Sequence, residues 1–398
     1  MPSTYPSFRH SVPWLILLLE AVFIVLSYFL DSIVDAHFPY PDLQDVSHML
    51  IFGFGFFLTF LKRYSFSSTG FSLLIVILGV QCSILMEHVS VLLTEISLSG
   101  IPGAAMSTVA VVISIGAVLG KMNPMQSIVM VVVEIVVFYV SRWINIYLLQ
   151  ASSHVSMMHV HLFGAYFGLA VSSRFSEPSP RSEKNASTPR SDLLSMLGTL
   201  FLWVFWPSFN SVLAVEKDRA IFNTCLALAV SAVAAFAFSG LITKDGKFRM
   251  THIRRAALAG GVTIGFAADS IEHPWIAMIL GLLASAISVL GSFCLQSCLP
   301  TLRTHDASGV HFTFGLPAVF GALAKVVFFV MEIQTKLPSI GNKVLLSIGA
   351  LCFTISVALI TGLITGLILN FKLWKPIPVS KYFEDQMYWE FPHLAVGF

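Results

Sequence analysis

Met157-Met158-His159-Val160-His161-Leu162-Phe163-Gly164-Ala165-Tyr166-Phe167-Gly168-Leu169 is the stretch that decides how this chain is read. It lies in an apolar segment, residues 154–172, long enough to cross a bilayer. His161 therefore sits at bilayer depth. An ionisable ring there is costly and faces a pore, a proton path or a buried partner.

Working outward, the rest of the chain has the same character. Its 398 residues are 56% hydrophobic and 11% charged, against about 25% charged in soluble domains. That excludes a large soluble domain and describes a polytopic all-α membrane protein. About twelve apolar segments can span or nearly span a bilayer: 12–30, 46–61, 70–92, 104–120, 125–148, 154–172, 193–213, 220–240, 256–270, 275–295, 310–332 and 344–371. The ninth is short and rich in Ala and Gly, which predicts a place inside the bundle. The first contains Glu20 and no small-residue cleavage site, and reads as a retained helix.

An even number of spans puts both termini on one side. If that side is the cytoplasm, the inner segments hold 17 of the 23 Lys and Arg and the outer loops four, as the positive-inside rule expects. Residues 174–192 then form a flexible cytoplasmic connector and 372–398 a cytoplasmic tail around a single membrane domain spanning 1–398. Asn185-Ala-Ser187 becomes a chance glycosylation sequon on the wrong side. Cys82, Cys225, Cys294, Cys298 and Cys352 show no zinc-like or disulfide pattern. Four are expected in the core. Cys298, at the inner membrane edge, is open either to palmitoylation or to a plain reduced thiol. No nucleophile–base set, metal site or cofactor motif is evident, and nothing points to nucleic acid.

Four stretches resemble Rh proteins of the ammonium-transporter superfamily: His161–Leu169, Phe201-Leu-Trp-Val-Phe-Trp-Pro-Ser-Phe-Asn-Ser211, Gly116-Ala-Val-Leu-Gly-Lys121 and Leu258-Ala-Gly-Gly261. The end of the chain, Lys381–Asp385 through Phe391–Phe398, is similar to the erythroid blood-group branch of the D/CE type. The resemblance implies a trimer, each subunit an inverted repeat around a narrow pore. It also implies two facing pore histidines, two gate phenylalanines and an aspartate near the entrance. The first histidine matches His161 and one gate ring matches Phe209. The second histidine falls on Phe314, the other gate ring on Ile115 and the aspartate on Ser153. Three of five positions depart from the conducting pattern.

Helical geometry separates the remaining candidates. His159 lies roughly 200° from His161 and reads as structural, whereas His154 shares its face about 10 Å away, near the outer end where water can solvate it. His311 is roughly 60° off the face of Phe314 and is a poor substitute for the missing histidine. Lys325 follows Phe314 by about three turns on nearly the same face. It is either a cation opposing ammonium at the entrance, or a lysine that pairs with Glu134 or Glu332 or snorkels to the interface. Glu20 and Glu134 read as buried structural carboxylates. The reading reached is a non-enzymatic plasma-membrane subunit without cofactor. It keeps the channel fold with a degenerate pore, and it assembles with a Rh-associated glycoprotein and links to the membrane skeleton. The alternative is a channel for ammonia, ammonium or another small gas.

Overall fold

The computed structural model describes residues 11–30, 40–94, 100–178, 183–298, 306–332 and 340–390. All regular structure in them is helical: α1 Val12–Leu30, α2 Tyr40–His48, α3 Ser65–Thr94, α4 Gly100–Val118, α5 Pro124–Tyr147, α6 Ser153–Ser172, α7 Pro189–Ser211, α8 Lys217–Ile242, α9 Met250–Gly265, α10 Pro274–Cys298, α11 Leu316–Glu332 and α12 Ile340–Leu369. Ten spans are long and apolar enough to cross a membrane unaided. The two expected segments that fall short are α9, only 16 residues, and α2, which continues through a π-helical turn, Met49–Phe54, into Gly55–Phe57. α9 is buried among longer neighbours, which removes its need to span alone.

The centre is built on α4 and α6. Some 94% of the membrane-length window of α4 and 83% of that of α6 are buried, against 11% for α1, which lies at the edge. Small residues permit this close approach. A Cβ on Gly164 would fall 2.4 Å from the Ala110 carbonyl oxygen, and one on Gly168 would fall 2.5 Å from Ser114 Cα. The Ser114 hydroxyl lies 2.8 Å from the Gly164 carbonyl oxygen and also contacts the Glu134 carboxylate. Glu20 accepts a hydrogen bond from Gln81 at 3.2 Å. Both carboxylates are thus held by neighbouring helices.

One expectation is corrected. Of the four cysteines assigned to the core only Cys82 is buried; Cys225, Cys294 and Cys352 face outward. Apolar thiols are as comfortable on an apolar outer face as inside, so composition did not distinguish the two. The described part of 174–192 is anchored to the bundle. Ala186 accepts from the Lys62 amide at 3.0 Å, and Thr188 and Ser191 form a capping box that starts α7. Residues 372–390 pack back onto the bundle. The Phe383 amide donates to the Gly120 carbonyl, and the Phe383 ring fills the space beside that glycine, whose φ is +74°. Asp385 accepts from the amides of Phe66 (3.0 Å) and Ser67 (2.8 Å) at the start of α3. Trp389 covers Gly70 and donates to Ser67 Oγ at 2.9 Å. Alongside, buried Lys121 donates to Ser172 Oγ at 2.9 Å, and burial pulls its ammonium down to about 8.

Candidate functional site

Two π-helical turns set up the centre of the bundle. An extra residue in a turn re-aims side chains, which is why such turns gather at functional positions. The first, Met49–Phe54, carries Phe54, and the second, His311–Gly315, carries Phe314. The second is started by Asp306, whose carboxylate accepts from the amides of Gly309, Val310 and His311 at 2.8–2.9 Å. Gly309 is required there. Its φ is +79°, and a Cβ would meet the Arg255 guanidinium at 2.2 Å.

His161 and Phe314 face one another with centroids 6.3 Å apart and planes 7° from parallel. Trp206 completes a near-parallel trio, 5.5 Å from His161 and 6.4 Å from Phe314. Phe209 meets His161 edge-on at 5.5 Å. Phe54 and Phe57 close the far side of Phe314 at 6.0 and 6.2 Å. None of these six residues is more than 1% exposed. Gly261 makes room for the trio, because a Cβ there would strike Trp206 at 2.7 Å. His161 Nδ1 lies 3.3 Å from the Met158 carbonyl oxygen, and Nε2 has no partner. The group contains one imidazole and five apolar or aromatic rings. It can exclude water and hold ring surfaces. It offers no second imidazole to hand a hydrogen bond across the axis.

The other expected positions scatter. Ile115 lies one residue past Ser114, whose contact with Gly164 puts it about 6 Å along the axis from His161. There it lines a recess with Tyr64 and Leu119. Ser153 opens α6, which Ser152 caps by accepting from the Val155 amide at 3.2 Å. His159 contacts Thr354 Oγ1 at 2.9 Å and Asn145 at 3.3 Å, an interhelical structural role. His311 packs on Tyr166, away from His161. Cys298 ends α10, and its side chain lies outside the described residues.

Lys325 is paired, through a carboxylate other than the two expected. Its ammonium bonds the Ser270 hydroxyl and lies 3.8 Å from Asp269 Oδ1, with Phe329 5.3 Å away. It does not pair with Glu134. Asp269 also lies 3.9 Å from His154 Nδ1, and His154 Nε2 is 3.0 Å from the Asn210 carbonyl oxygen. His154 is 3% exposed, so it is packed rather than solvated. The lysine is thus matched by a carboxylate, not an unopposed entrance charge. Removing one member strands the other. Lys325→Met is expected to cost about 3–5 kcal/mol, and adding Asp269→Leu to recover part of that loss. Thermal unfolding in detergent checks it. A double variant less stable than the two single losses combined would disprove the pairing.

Sequence reading passed over Trp206, Phe54 and Asp269. Trp206 was recoverable, since it precedes Phe209 by three residues and so shares its helix face. Asp269 and Lys325 lie 56 positions apart on different elements, with no local signal joining them.

A sheltered helical core with two π-helical turns that carry rings into a buried cluster defines a channel- or transporter-type membrane protein. The comparisons make this specific. The Ammonium Transporter Family model matches residues 32–388, and the chain belongs to this family, on its Rh branch. An RH-like protein of Macaca mulatta is 43% identical over all of both chains. The human blood group Rh(CE) polypeptide is 41% identical, again over the full length of both. Among solved structures, Rh50 of Nitrosomonas europaea superposes with a TM-score of 0.75 at 29% identity, covering 89% of this chain and 93% of that one. That protein belongs to a study of conduction by Rhesus channels.

Proposed function

We propose that this chain is a Rh blood-group-type subunit of an erythrocyte membrane complex, with a closed pore and a structural role. The observation that carries the reading is the ring trio. A phenylalanine stacks against His161 where a conducting pore needs a second imidazole, and Trp206 shares the same space. A channel for ammonia or a small gas is the second reading, favoured by the free Nε2 of His161.

Assembly follows from the same reading. The expected form is a trimer in the plasma membrane that includes a Rh-associated glycoprotein, with both termini cytoplasmic and a link to the membrane skeleton. Native mass analysis after co-expression with that glycoprotein checks it, and monomers in every condition would refute it. The orientation rests on the Lys and Arg asymmetry. Asn185 is exposed, so only its side of the membrane keeps it from the glycosylation machinery. It is expected to be unmodified. A mobility shift after glycosidase treatment that vanishes in Asn185→Gln would reverse the topology.

A further inference from the structure

We infer that the recess beside the 381–389 segment is a site for an inner-leaflet lipid bearing a phosphomonoester headgroup. The inference rests on the cytoplasmic placement of that end of the bundle.

The recess has a volume of about 1150 Å³ and lies between the α2–α3 turn, the start of α7 and the returning chain. Lys62, Arg63 and Arg190 line it, together with Glu384, Asp385 and Trp389. The two carboxylates are already engaged. Glu384 pairs with Lys184 and lies 3.7 Å from Lys381, while both Asp385 oxygens accept amides of α3. The three basic side chains are exposed, and among the described residues none has a carboxylate within ion-pair distance. Three cations without an ion pair among the described residues therefore line one concave site. Arginine forks suit phosphate oxygens, and a lysine adds a point charge. Thr188 and Ser191 line the same wall at the α7 start, where the helix dipole favours an anion.

Position selects the source of the phosphate. Basic recesses between membrane helices on the cytoplasmic side take lipid headgroups. Trp389 is an amphipathic ring of the kind that sits at headgroup level, and exposed Phe66 lines the same site. A soluble phosphate would use the cations but not these apolar neighbours.

The test uses the full chain in detergent with a short-chain phosphatidylinositol 4,5-bisphosphate, and binding is followed by native mass spectrometry. Short-chain phosphatidylserine and free inositol trisphosphate are run alongside. The bisphosphate lipid is expected to bind at least about tenfold tighter than either. Lys62→Gln/Arg63→Gln/Arg190→Gln is expected to erase that advantage, and exposed Arg190→Gln alone to weaken it about threefold. If the triple variant does not purify, Arg190→Gln decides. Equal binding by wild type and variant overturns the site. Equal binding of phosphatidylserine overturns the phosphomonoester, and equal binding of inositol trisphosphate overturns the lipid. Labelling of Ser187→Cys from one side of intact cells tests orientation separately. Reaction with an impermeant external reagent would move the site to the outer leaflet without touching the binding result.

Discussion

Proteoliposomes holding only this chain are expected to show ammonium-dependent pH relaxation no faster than empty liposomes. Ammonia crossing a narrow apolar path needs groups that replace its lost hydration. Paired imidazoles can do so by passing hydrogen bonds between ring nitrogens. Here one imidazole packs against both Trp206 and Phe314, which also meet each other, with Phe209 against its edge. Opening the axis would separate several ring contacts, each worth about 0.5–1.5 kcal/mol beyond its buried area. Ser153 supplies no negative charge to gather cations at the entrance, and the Asp269 carboxylate is shared with Lys325 and His154. Phe314→His alone is expected to restore little, because Trp206 still occupies the stack. Stopped flow with Rh50 of Nitrosomonas europaea as comparator decides. Wild-type flux near that of the comparator, abolished by His161→Ala, would establish the channel instead.

Gly164→Val is expected to abolish correctly assembled protein. Its Cβ would lie 2.4 Å from the Ala110 carbonyl oxygen and 2.8 Å from Ala110 Cα. Those atoms are helix backbone and cannot swing aside, so α4 and α6 must part along the most buried seam in the bundle. The Ser114 contact to Gly164 would go with it. Forced separation of a packed core costs about 3 kcal/mol or more. Gly55→Ala is the control, because nothing lies within 4 Å of its Cβ position. The readout is the monodisperse fraction in size-exclusion chromatography. Equal profiles for Gly164→Val and wild type would show that the seam is not tight.

Much of the fold was legible because spans announce themselves by length and apolarity. Even the weak α9 was readable as interior from Ala256-Ala257-Leu258-Ala259-Gly260-Gly261. The opposition of His161 and Phe314 was reached only through family resemblance, since 153 positions separate them. Ile115 was likewise reached only through the resemblance. The helix that carries it is buried almost all round, so periodicity names no preferred face. The return of 381–389 was hidden because its signal is not in those residues. It lies in the hollows left by Gly70 and Gly120, which Trp389 and Phe383 fill.

That return has a consequence for biogenesis. Asp385 caps α3 from a sequence separation of 319 residues, and Trp389 reaches back 322 residues to Ser67. When the α2–α3 turn emerges from the ribosome, the groups that will satisfy it do not yet exist. Every later span must be inserted before the amides of Phe66 and Ser67 find their acceptor. Until then the turn is exposed to water and to quality-control factors. A nascent chain stalled after α12 would carry every span and still present this turn uncovered, which gives the cell a means to tell an unfinished molecule from a finished one.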